Sequence, residues 1–200
     1  MAGRALVYGL ALAGEATARA LAGRGWEVVV ADDRPAPDAA ERAAGLGADL
    51  HVAPDAAALK RLVAGVDLVV PSPGVPEHHA LFGATAAAGV PVRTEIDLAH
   101  EWEQSRPGGP RPMVAVTGTD GKTTTTLLAV AMVEASGRRA VAAGNTDVPL
   151  VSALDLDVEV FVVECTSFRL AFVECFRPRA ATWLNFAPDH LDVHRSLAAS

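Results

Sequence analysis

A chain of 200 residues, 50% of them hydrophobic and 20% charged, has enough apolar surface to offset its ordering entropy, which excludes wholesale disorder and leaves room for one large domain or two modest ones. Its 17 Lys and Arg against 24 Asp and Glu give a net charge of −7, which argues against a nucleic-acid binder but allows a small anion held at one site. Cys165 and Cys175 match neither a CxxC pair nor a zinc knuckle, the N-terminus has no signal core, and no segment reaches the ~20 apolar residues of a membrane span, so a cytoplasmic chain with no membrane span is expected.

In chain order, Arg4 to Tyr8 reads as a short buried strand, Gly9 to Gly14 as a turn, and Glu15 to Gly23 as a helix. Trp26 to Ala31 is a second strand, nearly continuous in Val as strands buried on both faces are. The turn GLALAG departs from the GxGxxG dinucleotide fingerprint, because Ala11 stands where the second glycine should admit a pyrophosphate. NAD is therefore not expected, while a uridine or sugar nucleotide could still use the crevice. Asp32, Asp33 and Arg34 follow the second strand, where such folds place an acid on a ribose hydroxyl; a charged surface loop is the alternative. Asp67 to Val70 is the next strand. It runs into Pro71, Ser72, Pro73 and Gly74, at the carboxyl edge where open sheets bind ligands, although a plain turn explains these residues equally well. Glu77 to Ala88 reads as a helix and Val90 to Arg93 as a short strand. His51, His78, His79 and His100 read as surface residues.

The stretch Gln104 to Pro112, QSRPGGPRP, can hold neither a helix nor a central strand. It divides a Rossmann-like domain, 1–103, from a second α/β domain, 113–200, with 104–112 as linker. In the second domain Met113 to Thr117, Arg139 to Ala143, Val158 to Val163 and Ala180 to Leu184 read as strands, and Thr123 to Ser136 as a helix. The alternation predicts doubly wound parallel sheets in both halves. Because the chain stops at Ser200 soon after its last strand, a fragment is expected.

The strongest local signal is VAVTGTDGKTTTT, Val114 to Thr126. A strand delivers the chain to Gly118 and Gly121, whose missing side chains let backbone N–H groups approach phosphate oxygens, while a helix starting near Thr123 aims its positive end at the same place. Lys122 adds a point charge for β/γ-phosphates, and the Thr123 hydroxyl is placed for Mg²⁺. Val116 occupies the first glycine of the full GxxxxGK[ST] pattern; the bland alternative is a Gly-rich turn with an exposed lysine. Further on, Glu164 ends a buried apolar strand, the place for an acid that holds Mg²⁺ directly or through water. LNFAPDHLDVHRS then sets Asn185, Asp189, His190, Asp192 and His194 at the mouth of another strand, and His190 beside two acids reads as functional. Cys165 reads as a small buried residue.

The segments GTDGKTT at Gly118, AGNTDVP at Ala143, VECTSFRL at Val163 and LNFAPDHLDVH at Leu184, in this order and spacing, resemble the Mur ligase family, ATP-dependent amide-forming ligases of peptidoglycan assembly. Within it, the GLALAG turn, Asp32 to Arg34 and PSPGVP at Pro71 look most like members that join D-glutamate to UDP-N-acetylmuramoyl-L-alanine. The resemblance implies ATP on Gly118, Thr119, Asp120, Gly121, Lys122, Thr123 and Thr124, with Mg²⁺ on Thr123, Glu164 and His190. It implies Ala13, Asp32, Arg34, Ser72 and Gly74 as uridine and diphosphate contacts, Asn145 and Thr166 near the muramoyl substrate and its reacting carboxyl, and Lys122, His190 and Asn145 as the catalytic set of a monomeric enzyme. Asp120, Thr166 and Arg169 depart from the residues commonest in the family at those positions. The family's carbamylated lysine, the rest of its adenine site and its third domain would lie beyond Ser200, so the resemblance implies little or no activity for this polypeptide alone. Another amide ligase of the family, or a non-catalytic nucleotide-sensing module, are the alternatives.

Overall fold

The computed structural model describes residues 3–187, and the chain divides into two compact units between Glu95 and Ile96. In the first unit β1 (Arg4–Tyr8), β2 (Glu27–Asp32), β3 (Asp49–Val52) and β4 (Leu68–Pro71) form one parallel sheet in the order β3-β2-β1-β4. The helices α1 (Leu12–Gly23), α2 (Ala39–Gly45), α3 (Ala56–Ala64) and α4 (Ala80–Ala88) connect or follow the strands. The chain winds outward from β1 to β3 and then returns to lay β4 on the other side of β1. The connections from β1 and β4 thus leave the sheet in opposite directions, opening a crevice at their carboxyl ends. One face of the sheet contributes Leu6, Tyr8, Val29, Ala31 and Val69 to a core completed by Leu59, Val63 and Leu81 of α3 and α4.

Helix α1 begins at Leu12, three residues before the expected Glu15, so Gly14 lies inside its first turn. A Cβ on Gly14 would overlap the Gly9 carbonyl oxygen and crowd the Ser72 hydroxyl, which is why the helix can start so close to the end of β1 only with glycine there. Helix α4 begins at Ala80 rather than Glu77, because His79 caps it by accepting the Leu81 N–H. The expected strand at Val90 to Arg93 reduces to one parallel bridge between Val69 and Val92. Pro91 has no N–H to extend it. The segments α2, β3 and α3 went unassigned in the sequence; α2 is a seven-residue Ala-rich helix and β3 a largely exposed edge strand.

The second unit has the parallel order β6-β7-β5-β8, from β5 (Met113–Thr117), β6 (Ala140–Gly144), β7 (Val160–Glu164) and β8 (Ala180–Trp183). Its helices are α5 (Glu95–Gln104), absent from the sequence reading, α6 (Lys122–Ala135), and the single turns α7 (Leu150–Ala153) and α8 (Ser167–Leu170). Met113, Ala115, Val116, Leu150 and all of β7 are buried.

The stretch expected to be a linker, 104–112, lies within this unit and Arg111 pins it there. The Arg111 guanidinium donates twice to Glu103, Nε to Oε1 at 2.9 Å and Nη2 to Oε2 at 2.8 Å, and reaches the carbonyls of Leu154 and Leu156 at 2.8 and 2.9 Å. Its plane lies over the Phe161 ring, 4.5 Å from the centroid. Burial of Glu103 opposes its ionisation, but the hydrogen bonds and charge of Arg111 outweigh burial and hold the carboxyl below its ordinary value. His100, read as a surface residue, is buried against Phe176, and burial lowers its pKa. Cys165 is fully buried as expected. Among the described residues no helix is long and apolar enough to cross a membrane.

Breaking a buried ion pair on one side strands the other charge. Arg111→Ala is expected to destabilise the second unit by about 3–5 kcal/mol in denaturant unfolding. Arg106→Ala, whose guanidinium only approaches Glu103 at 3.9 Å, should change stability by under about 1 kcal/mol. Since folding lowers the Glu103 pKa, its contribution is complete above the ordinary glutamate range and is lost as pH falls through the lower folded value. The gap between the wild type and Arg111→Ala should therefore narrow in acid.

Candidate nucleotide and substrate sites

In the second unit all strands are parallel, so their carboxyl ends share one edge, and the register decides what meets there. Val116 of β5 lies beside Glu164 of β7, Gly144 of β6 beside the same Glu164, and Thr117 of β5 beside Trp183 of β8. The Gly118 loop, Asn145, Glu164 and Asn185 are thereby assembled along about four neighbouring strand ends.

The loop runs from β5 into α6 with Gly118 at φ 145° and Gly121 at φ 80° as the helix N-cap. A Cβ on Gly118 would come within 3.1 Å of the Leu184 Cβ and 3.2 Å of the Asn185 backbone N, so this glycine answers both conformation and crowding. No side chain caps α6, leaving the first N–H groups of the helix without intrahelical partners and available to an anion. Lys122 folds back over the loop, its Nζ donating to the carbonyls of Gly118 at 2.8 Å and Thr119 at 2.7 Å. An ammonium has three N–H bonds, so one remains for a ligand. Thr123, Thr124 and Asp120 are exposed around the same helix start.

Glu164 is 2% exposed. Its Oε1 accepts from Asn145 Nδ2 at 3.0 Å, and the Asn145 backbone N–H donates to the Glu164 carbonyl at 2.9 Å. Glu164 Oε2 and the Thr166 hydroxyl are buried with no hydrogen-bond partner among the described residues. A carboxyl oxygen left unpaired in the interior costs free energy unless a cation or donor joins it. Among the described residues no group of three or more His, Cys, Asp or Glu could hold a metal by itself. His190, Asp189, Asp192 and His194 lie outside the described residues.

In the first unit the expected contacts gather around the crevice, but several already serve the fold. Asp32 Oδ2 accepts the Leu10 N–H at 2.7 Å and Oδ1 the Arg34 N–H at 2.8 Å, so this carboxylate ties the Gly9 turn to the end of β2. Ser72 donates its hydroxyl to the Gly9 carbonyl at 2.6 Å. Ala13 is buried in the first turn of α1, whereas Arg34 and Gly74 are exposed beside the crevice and open to a ligand. The sequence reading missed a cluster at the same edge: Asp33 accepts the Tyr8 hydroxyl at 2.7 Å and contacts His79 Nε2 at 3.0 Å. Burial, and then the bond to Asp33, push the Tyr8 phenol up from its ordinary value. His79 was read as a surface residue, and no sequence spacing links positions 46 residues apart.

Comparison with known proteins matches a separate family model to each half of the chain. The model of the Mur ligase MurD-like N-terminal domain matches residues 3–94, and that of the Mur ligase middle domain matches residues 116–199. The UDP-N-acetylmuramoylalanine–D-glutamate ligase of Mycolicibacterium vanbaalenii is 43% identical over 195 residues, covering 97% of this chain and 39% of that protein. The ligase of the same name from Thermus thermophilus is 41% identical over 194 residues, covering 97% and 43%. The chain therefore spans about two fifths of the length of these curated relatives. Among solved structures, UDP-N-acetylmuramate:L-alanyl-gamma-D-glutamyl-meso-diaminopimelate ligase from Neisseria meningitides covers 98% of this chain and 64% of its own, with TM-score 0.58 and 20% identity. UDP-N-acetylmuramate-alanine ligase from Thermotoga maritima covers 98% of this chain and 45% of its own, with TM-score 0.54 and 22% identity. At such identity these two likenesses speak to the α/β fold alone.

Because Asp32 supplies two charge-assisted acceptors to backbone N–H groups, Asp32→Ala is expected to cost about 2–3 kcal/mol in denaturant unfolding. The exposed Arg34→Ala should stay within about 0.5 kcal/mol of the wild type. Equal losses would show that the Asp32 bonds to the Gly9 turn do not stabilise the unit.

Proposed function

The chain belongs to the Mur ligase family, and from that premise we propose that it is the uridine-substrate and ATP-binding part of a cytoplasmic, monomeric ligase that adds D-glutamate to UDP-N-acetylmuramoyl-L-alanine in peptidoglycan synthesis. The observation that carries the reading is the carboxyl edge of the second sheet. There an uncapped helix start, a lysine and a buried carboxyl with one unpaired oxygen sit on neighbouring strand ends. The identity to relatives named for this activity supports the choice of substrates.

On this reading the N–H groups at the start of α6 and the Lys122 ammonium bind the phosphates of ATP and neutralise the phosphoryl group in transit. Glu164 Oε2 and the Thr123 hydroxyl would hold Mg²⁺, with His190 as a further ligand by family resemblance. The cation supplies charge compensation on the phosphate oxygens. Asn145 holds Glu164 by donating to Oε1, which leaves Oε2 without a partner among the described residues, and the Thr166 hydroxyl is likewise buried and unpaired. In the first unit Arg34 and the backbone around Ala13, Ser72 and Gly74 would take the uridine diphosphate, with Asp32 shaping the turn that receives it. The terminal phosphoryl group of ATP passes to the free carboxylate of the alanyl substrate, giving an acyl phosphate and ADP. The amine of D-glutamate then attacks the acyl carbon and gives up a proton to solvent, the amide bond forms, and inorganic phosphate leaves with the electrons of the broken C–O bond.

Calorimetric titration of the 200-residue chain separates the two sites. UDP-N-acetylmuramoyl-L-alanine should bind the wild type and Lys122→Ala equally, whereas Mg-ATP should bind Lys122→Ala about 10–100-fold more weakly, the worth of one charged hydrogen bond. A folded chain that ignores the uridine substrate would sink the D-glutamate-adding reading. Glu164→Gln keeps an acceptor for Asn145, so its melting temperature should hold. The enhancement of nucleotide affinity by Mg²⁺ should fall about 10-fold or more; an undiminished enhancement removes Glu164 from the cation site.

A further inference from the structure

Asn185 stands two residues past the end of β8, and its side chain is joined to the Gly118 loop at three points. Oδ1 accepts the Thr119 N–H at 3.0 Å and the Asp120 N–H at 2.9 Å, while Nδ2 donates to the Asp120 carbonyl at 3.0 Å. The surrounding backbone reinforces this. Thr119 N–H also approaches the Asn185 carbonyl at 3.3 Å, Leu184 N–H donates to the Thr117 carbonyl at 2.9 Å, and the Thr119 hydroxyl bonds both the N–H and the carbonyl of Ala187 at 2.9 and 3.1 Å.

We propose that Asn185 is a positioning residue that holds the phosphate loop in its anion-binding shape, a role resting on the reading of this loop as the ATP site. Two of the loop's N–H groups are taken by the amide, so the donors left for phosphate are those at the start of α6 and the Lys122 ammonium. The amide is not a stand-in for a phosphate that later displaces it. Phosphate oxygens only accept, and no fully ionised phosphate can replace the donation from Nδ2 to the Asp120 carbonyl. The bond pattern also answers the position of Asp120: with its N–H and carbonyl both clamped to Asn185, its backbone is fixed while its side chain stays exposed at the rim. Asn185 touches no reacting atom in this arrangement. It acts through the loop, as a shape constraint set before the ligand arrives.

The test measures affinity of the 200-residue chain for Mg-ATP, Mg-ADP and inorganic tripolyphosphate, together with exchange of the Thr119 and Asp120 amide protons. Asn185→Ala should weaken all three ligands by a similar factor, about tenfold, because the residue acts on the phosphates and not on the adenine. It should also release the Asp120 amide to rapid exchange, with a smaller gain for Thr119, whose N–H keeps the Asn185 backbone carbonyl, while the amides of the β5 and β7 ladder stay protected. Asn185→Asp keeps the acceptor and should keep both amides protected. It should still bind tripolyphosphate more weakly, having lost the donor and gained a charge. Binding of the three ligands by Asn185→Ala as tight as or tighter than by the wild type would overturn the proposal while leaving the ATP-site reading intact, as would free exchange of both amides in the wild type. No binding of any of the three by the wild-type chain would overturn the ATP-site reading and the proposal with it.

Discussion

A parallel strand that turns directly into a helix must satisfy its backbone in a space too tight for side chains, and both units are organised around that constraint. In the first unit the turn follows β1 at Gly9; in the second it follows β5 at Gly118. Each turn is closed by a polar residue just beyond the neighbouring strand: Ser72 past β4 donates to the Gly9 carbonyl, and Asn185 past β8 binds the N–H groups and carbonyl of the Gly118 loop. Strand order makes this possible, since β4 and β8 are laid beside β1 and β5 on the side away from β2 and β7.

The strand on the opposite side of each turn ends in an acid, and here the units diverge. Asp32 at the end of β2 spends both oxygens on backbone N–H groups, so it is consumed by the fold. Glu164 at the end of β7 has one oxygen fixed by Asn145 and the other buried without a partner. The same topological position therefore yields a structural brace in one unit and a buried, half-satisfied carboxyl in the other. The difference lies in the turns. The Gly9 turn directs the Leu10 N–H at Asp32, whereas the Gly118 loop gives two of its N–H groups to Asn185 and none to Glu164.

The second unit also shows why composition misleads about boundaries. QSRPGGPRP has the residues of a free linker, yet Arg111 carries five donors into a pocket made by Glu103, three carbonyls and the Phe161 ring. A planar guanidinium in such a fork orders the chain on either side of it more strongly than proline and glycine loosen it. Helix α5 escaped sequence reading for a related reason. Its buried residues include Asp97 and Glu103, which look solvent-facing in a sequence but accept backbone N–H groups of residues 174–176 and the Arg111 guanidinium.

By itself the sequence determined the alternation of strand and helix, the glycine-dependent turn before α6, the lysine and the acid that ends β7. Each of these is a short-range property: an apolar run, a residue without a Cβ, a charge at a fixed offset from a turn. It did not determine which strand ends become neighbours, and so could not say that Asp32 is a brace, that Tyr8, Asp33 and His79 meet, or that His100 is buried. Only the tertiary structure decided those, because hydrogen bonds between residues 22 to 46 positions apart depend on strand order and register. No local pattern of residue types encodes either of them.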